Sequence, residues 1–247
     1  MDPREYERSF ALEETHWWFR AKRALVRSLL RRYGRVDGCG LDVGCGTGGM
    51  LQELTTVAGS WVGVDAEPLA LAFSRKRGLG RLAGGSVVAL PFRDRVFDAC
   101  LCLDLLYHRG VDSEADALAE CRRVLRPGGL LIVTDSAFAW LRSPHDAAVH
   151  GARRYTRREL VETIRAAGFA PLFASYAYCL VFPAVAAFRL LRAGHGDGRA
   201  RGSDVFALPR VLNELLLGLQ TVERALLRLT PLPFGSSVVC VARKGAS

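Results

Sequence analysis

The sequence predicts an α/β fold built on a doubly wound, mostly parallel sheet. Two observations predict it: short apolar runs alternate with helical segments up to residue 135, and a glycine-rich turn follows the first of these runs. This alternation is typical of parallel strands joined by right-handed crossovers, with helices on both faces. The 247 residues are enough for one large domain that needs no disulfide to stabilise it.

The first half gives the elements in order. Residues 3–33 are predicted to be helical, because leucines recur at helical spacing among arginines. The predicted strands are 39–43, 61–65, 81–84, 96–103 and 130–135, and the predicted helices between them are 48–58, 67–77 and 113–125. Gly78 and Gly80 end one helix. Pro127 to Gly129 turns the chain into the fifth strand.

The second half is less regular. Thr156 and Glu159 match a capping box that begins a helix ending near Ala167. Strands are predicted over 169–178 and 236–243. The segment between them contains an apolar stretch (177–191), a polar stretch rich in Gly and Arg (194–204) that we expect to be mobile, and an amphipathic helix. The apolar stripe of that helix consists of Leu208, Leu212, Leu215, Leu219, Val222, Leu226 and Leu229.

The turn after the first strand carries the strongest functional signal. Residues 41–48 read Leu-Asp-Val-Gly-Cys-Gly-Thr-Gly. Glycines there allow positive φ and a close approach of backbone N–H groups to a ligand, and the following helix N-terminus favours an anion. Asp65 ends the next strand, where a carboxylate can bind a ribose diol. We expect a nucleoside-containing cofactor, although Gly44, Gly46 and Gly49 also fit the dinucleotide pattern G-x-G-x-x-G.

Four segments in order resemble the motifs of class I S-adenosylmethionine-dependent methyltransferases: 41–48, 62–65, 89–98 and 125–134. The resemblance implies S-adenosyl-L-methionine as cofactor and a Rossmann-like, seven-stranded sheet whose last strand is antiparallel. It implies cofactor binding by Asp42, Gly44, Cys45, Gly46, Gly48, Asp65, Ala66, Ser86, Val87 and Leu103.

The resemblance also implies roles for these residues. The glycines would pass the amino-acid part of the cofactor, Asp42 would anchor its ammonium group, and Asp65 would bind both ribose hydroxyls. Ser86 is a departure, since many relatives have an aspartate there that binds the adenine amino group. The adenine contact then falls to Ser86, Val87 or a backbone carbonyl.

Three histidines are candidates for the catalytic base that a hydroxyl acceptor needs. His108 follows the fourth strand, which places it at the cofactor edge of the sheet. His145 and His150 fall in the loop after the fifth strand, which faces the acceptor in the family that the chain resembles. Each of the three could instead only shape the pocket.

Acceptor binding is expected from two segments. Residues 13–20 read Glu-Glu-Thr-His-Trp-Trp-Phe-Arg, and similar stretches open a bacterial subgroup of methyltransferases found with glycan and natural-product pathways. The substrate candidates are His16, Trp17, Trp18, Tyr107, Arg153, Arg154 and Tyr155. The aromatic rings could stack on an acceptor, and the arginines could bind a carboxylate or phosphate. Alternatively, the aromatic residues could anchor the N-terminal helix, and the arginines could lie on a solvated surface.

We expect a single domain over 1–247. Within it, 1–35 is a helical cap, 36–178 the cofactor-binding core, 179–234 a helical insertion and 235–247 the last strand. The insertion and the N-terminal helix are predicted to cover the acceptor pocket; thickening the core or forming a dimer face is the alternative. A monomer and a homodimer are both compatible with the sequence.

Composition limits the partners. The formal charge is +9, and Arg189, Arg192, Arg199 and Arg201 follow the apolar stretch, so a peripheral contact with anionic lipid is one hypothesis. No run of about 18 apolar residues could span a membrane. Seven cysteines without a C-x-x-C pair or a secretory signal indicate a cytoplasmic location. No metal-site spacing and no nucleic-acid methylation motif occurs.

The sequence therefore predicts a small-molecule methyltransferase, with a hydroxyl of a sugar, a glycan-lipid or a secondary metabolite as acceptor. Methylation of nitrogen or carbon is the alternative reaction. A second alternative is a relative that binds the cofactor without transferring methyl, as a partner subunit or a rearrangement catalyst.

Overall fold

The computed structural model describes residues 2–34, 38–57, 59–194 and 206–245. Seven strands within these ranges form one sheet: β1 (Cys39–Val43), β2 (Ser60–Asp65), β3 (Leu82–Gly84), β4 (Phe97–Leu103), β5 (Leu125–Ser136), β6 (Phe169–Ala177) and β7 (Ser237–Lys244). Their order is β3-β2-β1-β4-β5-β7-β6, and β7 runs antiparallel to both of its neighbours. The predicted fold class, including the antiparallel last strand, is confirmed.

Helices cover both faces of the sheet. They are α1 (Pro3–Leu12), α2 (Trp17–Tyr33), α3 (Gly49–Val57), α4 (Pro68–Lys76), α5 (Glu114–Val124), α6 (Pro144–Ala148), α7 (Arg157–Ala166), α8 (Phe182–Gly194) and α9 (Arg210–Leu229). Buried residues of α5 and α7 form one apolar cluster with the sheet, and those of α2, α3 and α9 form another on the opposite face. Among the described residues no helix is both long enough and apolar enough to cross a bilayer.

Strand alternation divides the core between the two faces. Cys100 and Cys102 on β4 are fully buried against the α5 and α7 side, whereas Leu101 between them packs on the α2 side. This is the period of two that any strand imposes on its side chains. Because β1, β2 and β4 pair in parallel, they end at the same edge of the sheet, where the turn after β1, Asp65 of β2 and Asp104 after β4 lie.

The predicted helix over 3–33 is wrong in one respect, because two helices occupy this range. The chain breaks at 13–16, where His16 takes an extended conformation and its Nδ1 accepts a hydrogen bond from Trp18 N (3.3 Å). An acceptor side chain at this position caps the exposed N–H groups of a new helix. Because of this break, α1 packs against α4, whereas α2 packs on the sheet.

The amphipathic helix α9 lies in an orientation opposite to that expected of a surface helix. Its buried residues are Asn213, Gln220, Glu223 and Leu227, while six of the seven residues of the predicted apolar stripe are exposed. Polar contacts fix this orientation: Asn213 Oδ1 accepts from Trp17 N (2.9 Å), and Glu223 accepts from the N–H groups of Tyr178 (2.5 Å) and Leu180 (3.0 Å). Leu208 precedes the helix, and the predicted mobile stretch lies, apart from Gly194, outside the described residues.

We expect Gly40→Ala to destabilise the fold by about 1–3 kcal/mol, as overpacking of a core does. A Cβ at Gly40 would lie 2.4 Å from Cζ3 of the buried Trp61. The matched control is Gly80→Ala, since no atom lies within 4 Å of a Cβ built there. Urea unfolding of both variants measures the difference, and equal free energies of unfolding would show that Trp61 does not restrict Gly40.

Candidate active site

The glycine-rich turn after β1 is held against β2. Gly44 N and Cys45 N both donate to the carbonyl of Val64, at 2.8 and 3.1 Å. Gly44 and Gly46 have φ of +70° and +56°, values that side chains disfavour. No atom lies within 4 Å of a Cβ built on Gly46, so the backbone there faces open space. A ligand can therefore approach the turn at Gly46.

Asp65 at the end of β2 is fixed by two backbone donors. Its Oδ2 accepts from Gly46 N (2.9 Å) and its Oδ1 from Glu67 N (2.9 Å). Burial raises the pKa of Asp65, and these two hydrogen bonds oppose the rise. The carboxyl group thus joins the turn to the strand end and still faces the cleft beside it.

A cleft of about 280 Å³ opens at this edge of the sheet. Among its lining residues are eight of the predicted ones: Gly44, Gly46, Asp65, Ala66, Ser86, Val87, Tyr107 and His108. It is also lined by Tyr6, Glu67, Asp104 and Val149, which the sequence did not single out. Tyr6 belongs to α1, so the N-terminal helix forms part of the wall.

Four predicted cofactor residues do not line this cleft. Gly48 has φ of +85° and packs closely, because a Cβ there would lie 2.6 Å from Leu79 Cδ1. Cys45 is buried beneath the turn, and Leu103 packs into the core on the α2 side. Asp42 is buried, its Oδ2 has no hydrogen-bond partner among the described residues, and burial raises its pKa to about 7. The charges of Asp65 and Glu13 add to that rise.

The segment between α1 and α2 contacts the turn directly. Glu13 Oε2 accepts from Thr47 Oγ1 (2.6 Å) and pairs with Arg77 Nη2 (3.0 Å). Arg77 also donates to the carbonyl of Thr47 (2.8 Å). Glu13 was missed as a site residue, although it begins the distinctive Glu-Glu-Thr-His-Trp-Trp stretch. The contact ties the N-terminal helices to the loop that follows β1.

A charged pair lies at the other side of the cleft. Asp104 follows β4 with φ of +51°, and its Oδ2 pairs with Nζ of Lys22 from α2. Thr134 Oγ1 donates to Asp104 Oδ1 (3.2 Å), and Lys22 Nζ lies 3.5 Å from the centre of the Trp18 ring. Neither Asp104 nor Lys22 was predicted. The position of Asp104 at the carboxyl end of a central strand was the signal that could have found it.

Aromatic rings pack beside this pair. The rings of Trp17 and Trp18 lie 6.1 and 6.5 Å from that of Tyr178, which follows β6. The Tyr178 hydroxyl is buried and has no hydrogen-bond partner among the described residues. His16 lies apart from the cleft, in a groove of about 340 Å³ that Arg20, Asn213 and Glu214 also line. The structure thus brings Trp18, but not His16, to the Lys22–Asp104 pair.

Two of the three candidate histidines lie together. The ring centres of His108 and His150 are 5.7 Å apart, and His150 has φ of +53°. His108 Nδ1 accepts from Gly110 N (3.0 Å), so in the neutral ring the proton is on Nε2. Burial lowers the pKa of His108 to about 4, which makes the ring a neutral hydrogen-bond donor at pH 7. The side chain of His145 lies outside the described residues.

The side chains of the remaining substrate candidates are bound by other groups of the protein. Arg154 forms a buried, two-bond ion pair with Asp146 at 2.9 and 3.0 Å. Arg153 donates to the carbonyl of Val111 (2.9 Å), and the Tyr155 hydroxyl donates to Glu114. These contacts shape the loop after β5 rather than reach into the cleft. No group of three or more potential metal ligands occurs among the described residues.

Comparison with known proteins decides the family. Residues 41–133 match the family described as a methyltransferase domain. A demethylmenaquinone methyltransferase of Mycobacterium bovis is 33% identical over 199 residues, which cover 77% of this chain and 78% of that protein. The chain belongs to the class I S-adenosylmethionine-dependent methyltransferases. S-adenosylmethionine is accordingly its cofactor, as the resemblance implied.

Other matches agree with that family. A probable S-adenosylmethionine-dependent methyltransferase of Mycolicibacterium smegmatis is 28% identical over 161 residues, or 64% of this chain. The match covers 61% of that relative, so this chain spans less than two thirds of it. A possible histamine N-methyltransferase from Thermotoga maritima shares the fold, with a TM-score of 0.62, 22% identity, and coverage of 98% and 95% of the two chains.

We expect Asp65→Asn to weaken S-adenosylmethionine binding by about 10-fold to 150-fold, the loss of charged hydrogen bonds worth about 1.5–3 kcal/mol. Titration calorimetry gives the dissociation constant. Glu67→Gln is the control, because it removes the same charge from the same cleft wall while keeping the backbone N–H that Asp65 accepts. An equal loss in both variants would assign the effect to general charge rather than to Asp65.

Asp42→Asn should change stability in a pH-dependent way. The folded-state pKa of Asp42 is raised to about 7, so the folded protein binds a proton that the unfolded chain has released. The contribution of Asp42 to the stability of the wild type is therefore lost as pH rises from 4 towards 7. The variant escapes that loss, and its stability relative to wild type should rise by on the order of 2–3 kcal/mol between pH 5 and pH 8. Urea unfolding at both pH values measures it, and a pH-independent difference contradicts the prediction.

Proposed function

We propose that this protein is an S-adenosylmethionine-dependent methyltransferase that methylates a hydroxyl group of a small molecule. The acceptor classes we favour are a sugar, a lipid-linked glycan and a secondary metabolite. The observation that carries the proposal is the Asp104 carboxylate at the cleft, paired with Lys22 and bordered by aromatic rings. The buried free thiols of Cys100, Cys102 and Cys121 support a reducing, cytoplasmic location.

The cofactor would occupy the cleft with its ribose at Asp65. The carboxyl group, held by two N–H donors, has its remaining lone pairs for the two ribose hydroxyls. The adenine would lie near Ser86 and Val87, which line the same cleft. The cofactor's ammonium group would approach Asp42 directly or through water and would give the buried Oδ2 a hydrogen-bond donor, which it lacks among the described residues.

Methyl transfer from the sulfonium is an in-line displacement, so the protein needs no nucleophile of its own. It must hold the acceptor oxygen in line with the methyl group, and such positioning is worth about 7–11 kcal/mol. A hydroxyl acceptor must also lose its proton to a nearby base. Asp104 can accept that proton, since Lys22 and Thr134 hold its carboxylate at the cleft.

His108 is less suited to this role than its position in the sequence suggests. Its one acceptor nitrogen is already used by Gly110 N, which leaves Nε2 as a donor. We propose that His108 positions the acceptor and that Asp104 is the base. We also propose His145 and His150, in the loop after β5, as auxiliary bases.

The acceptor is a small molecule because the N-terminal helices restrict the site. Tyr6 of α1 forms part of the cleft wall, and Lys22 of α2 contacts Asp104. Tyr6 and Tyr107 line the cleft and supply flat aromatic surface that packs well against a ring. An acceptor with one ring face and one hydroxyl would match both features.

A methyl-transfer assay tests the reaction. The protein is incubated with methyl-labelled S-adenosylmethionine and a panel of hydroxyl, amine and activated-carbon acceptors, and label transfer and S-adenosylhomocysteine are measured. Label on hydroxyl compounds supports the proposal. Label only on amines or carbon assigns the alternative reaction. Tight cofactor binding without transfer to any acceptor class would assign a non-methylating relative.

Asp104→Asn should lower kcat by about 100-fold to 10,000-fold, the usual contribution of a general base. Affinity for S-adenosylmethionine should change less than the rate. The control is Asp116→Asn, an exposed carboxylate on α5. His150→Gln and His145→Gln are made in parallel. If Asp104→Asn keeps the full rate and a histidine variant loses it, the base is that histidine.

A further inference from the structure

Helices α2 and α9 lie side by side and run in the same direction. Arg20 Nη1 pairs with Glu214 Oε1 (2.5 Å) near their N-terminal ends. Arg32 Nη1 donates to the carbonyl of Arg228 (3.1 Å) near their C-terminal ends. The 20 residues of α9 extend for about 30 Å. The two helices therefore present one elongated surface.

The outer face of α9 is apolar. Leu215, Val222 and Leu229 are 61%, 55% and 84% exposed, and Leu212, Leu219 and Leu226 are also exposed. These six residues form the leucine stripe. Buried contacts of Asn213 and Glu223 on the opposite face prevent the helix from rotating the stripe inwards. An exposed apolar patch of this length indicates a binding surface.

A basic groove lies between the same two helices. It has a volume of about 410 Å³ and is lined by Arg27, Arg31, Arg32, Arg224 and Arg228 together with Ala24 and Ser28. Glu53 pairs with Arg27 on the α3 side. Burial lowers the pKa of Arg224, and the charges of Arg228 and Arg27 lower it further. The guanidinium groups thus repel one another, which an anion in the groove would relieve.

We propose that the leucine stripe and the basic groove together dock the protein on the surface of an anionic phospholipid bilayer. The leucines would enter the boundary between headgroups and acyl chains, and the arginines would bind lipid phosphates. Arginine suits this contact because its planar guanidinium binds phosphate through two hydrogen bonds. The proposal moves the expected lipid contact from the apolar stretch at 177–191 to α2 and α9.

Charge favours a bilayer over a second copy of the chain. The stripe has the three-four spacing of a coiled coil, so a helix pair between two copies is the competing occupant. Each copy carries a formal charge of +9, and the acid beside the stripe, Glu214, is already paired with Arg20. Two such surfaces repel each other, whereas an anionic bilayer attracts both.

The chain's own undescribed segment does not fit the stripe by composition. Residues 195–205 read His-Gly-Asp-Gly-Arg-Ala-Arg-Gly-Ser-Asp-Val, in which Val205 is the one large aliphatic residue. Six exposed leucine and valine side chains need a comparable apolar partner surface.

Vesicle sedimentation of the full chain tests the proposal. Vesicles contain either phosphatidylcholine alone or equal amounts of phosphatidylcholine and phosphatidylglycerol. The protein should bind the mixed vesicles, bind the neutral ones far more weakly, and lose binding as salt is raised. Equal binding to both vesicle types, or none to the mixed vesicles at low salt, overturns the proposal.

Paired variants locate the surface. Arg31→Gln with Arg228→Gln should weaken binding to the mixed vesicles by about 25-fold, at about fivefold for each arginine. Leu215→Ser with Val222→Ser should weaken it at every salt concentration. The controls are Arg93→Gln and Leu172→Ser, which change an exposed arginine and an exposed leucine away from α2 and α9. Equal losses in controls and test variants would overturn the assignment.

Sedimentation equilibrium without lipid tests whether a second copy of the chain, rather than a bilayer, covers the leucine stripe. The wild type should be a monomer, and all variants should keep wild-type unfolding midpoints. A wild-type dimer that Leu215→Ser with Val222→Ser converts to a monomer would show that the stripe is a protein interface, and the proposal would be wrong.

Discussion

The carboxyl group of Asp65 is the contact on which the site depends. It accepts hydrogen bonds from Gly46 N and Glu67 N, and so fixes the turn after β1 relative to the end of β2. The turn can follow this course because Gly44 and Gly46 adopt positive φ. The parallel sheet brings these groups to one edge, and the N-terminal helices then cover that edge through Tyr6, Glu13 and Lys22.

The sheet and the cofactor side were predictable because both depend on local pattern. Apolar runs gave the strands to within a few residues, and the spacing of Gly44, Gly46 and Asp65 gave one wall of the cleft. The opposite side of the cleft was harder to predict. Asp104 pairs with Lys22 across 82 positions of the chain, and no periodicity links two such residues. Arg153 and Arg154 were predicted from their charge alone, and in the structure Arg153 donates to the carbonyl of Val111 and Arg154 pairs with Asp146.

Helix α9 shows why an apolar stripe does not determine which face is buried. The pattern of leucines predicted amphipathicity correctly, yet the apolar stripe is exposed and the buried face carries Asn213, Gln220 and Glu223 beside Leu227. Asn213 and Glu223 supply acceptors to the backbone N–H groups of Trp17, Tyr178 and Leu180. Leaving those buried groups without acceptors costs about 1–3 kcal/mol each, which helps to hold the leucines on the outside.

The raised pKa of the buried Asp42 carboxyl group should affect the heat that is measured when the cofactor binds. With a pKa of about 7, it is partly protonated in the ligand-free protein near neutral pH. A cation arriving beside it would favour ionisation, so that uptake of the cofactor releases a proton into the buffer. The apparent heat of association would then vary with the ionisation enthalpy of the buffer, and phosphate and Tris solutions would report different values for the same event.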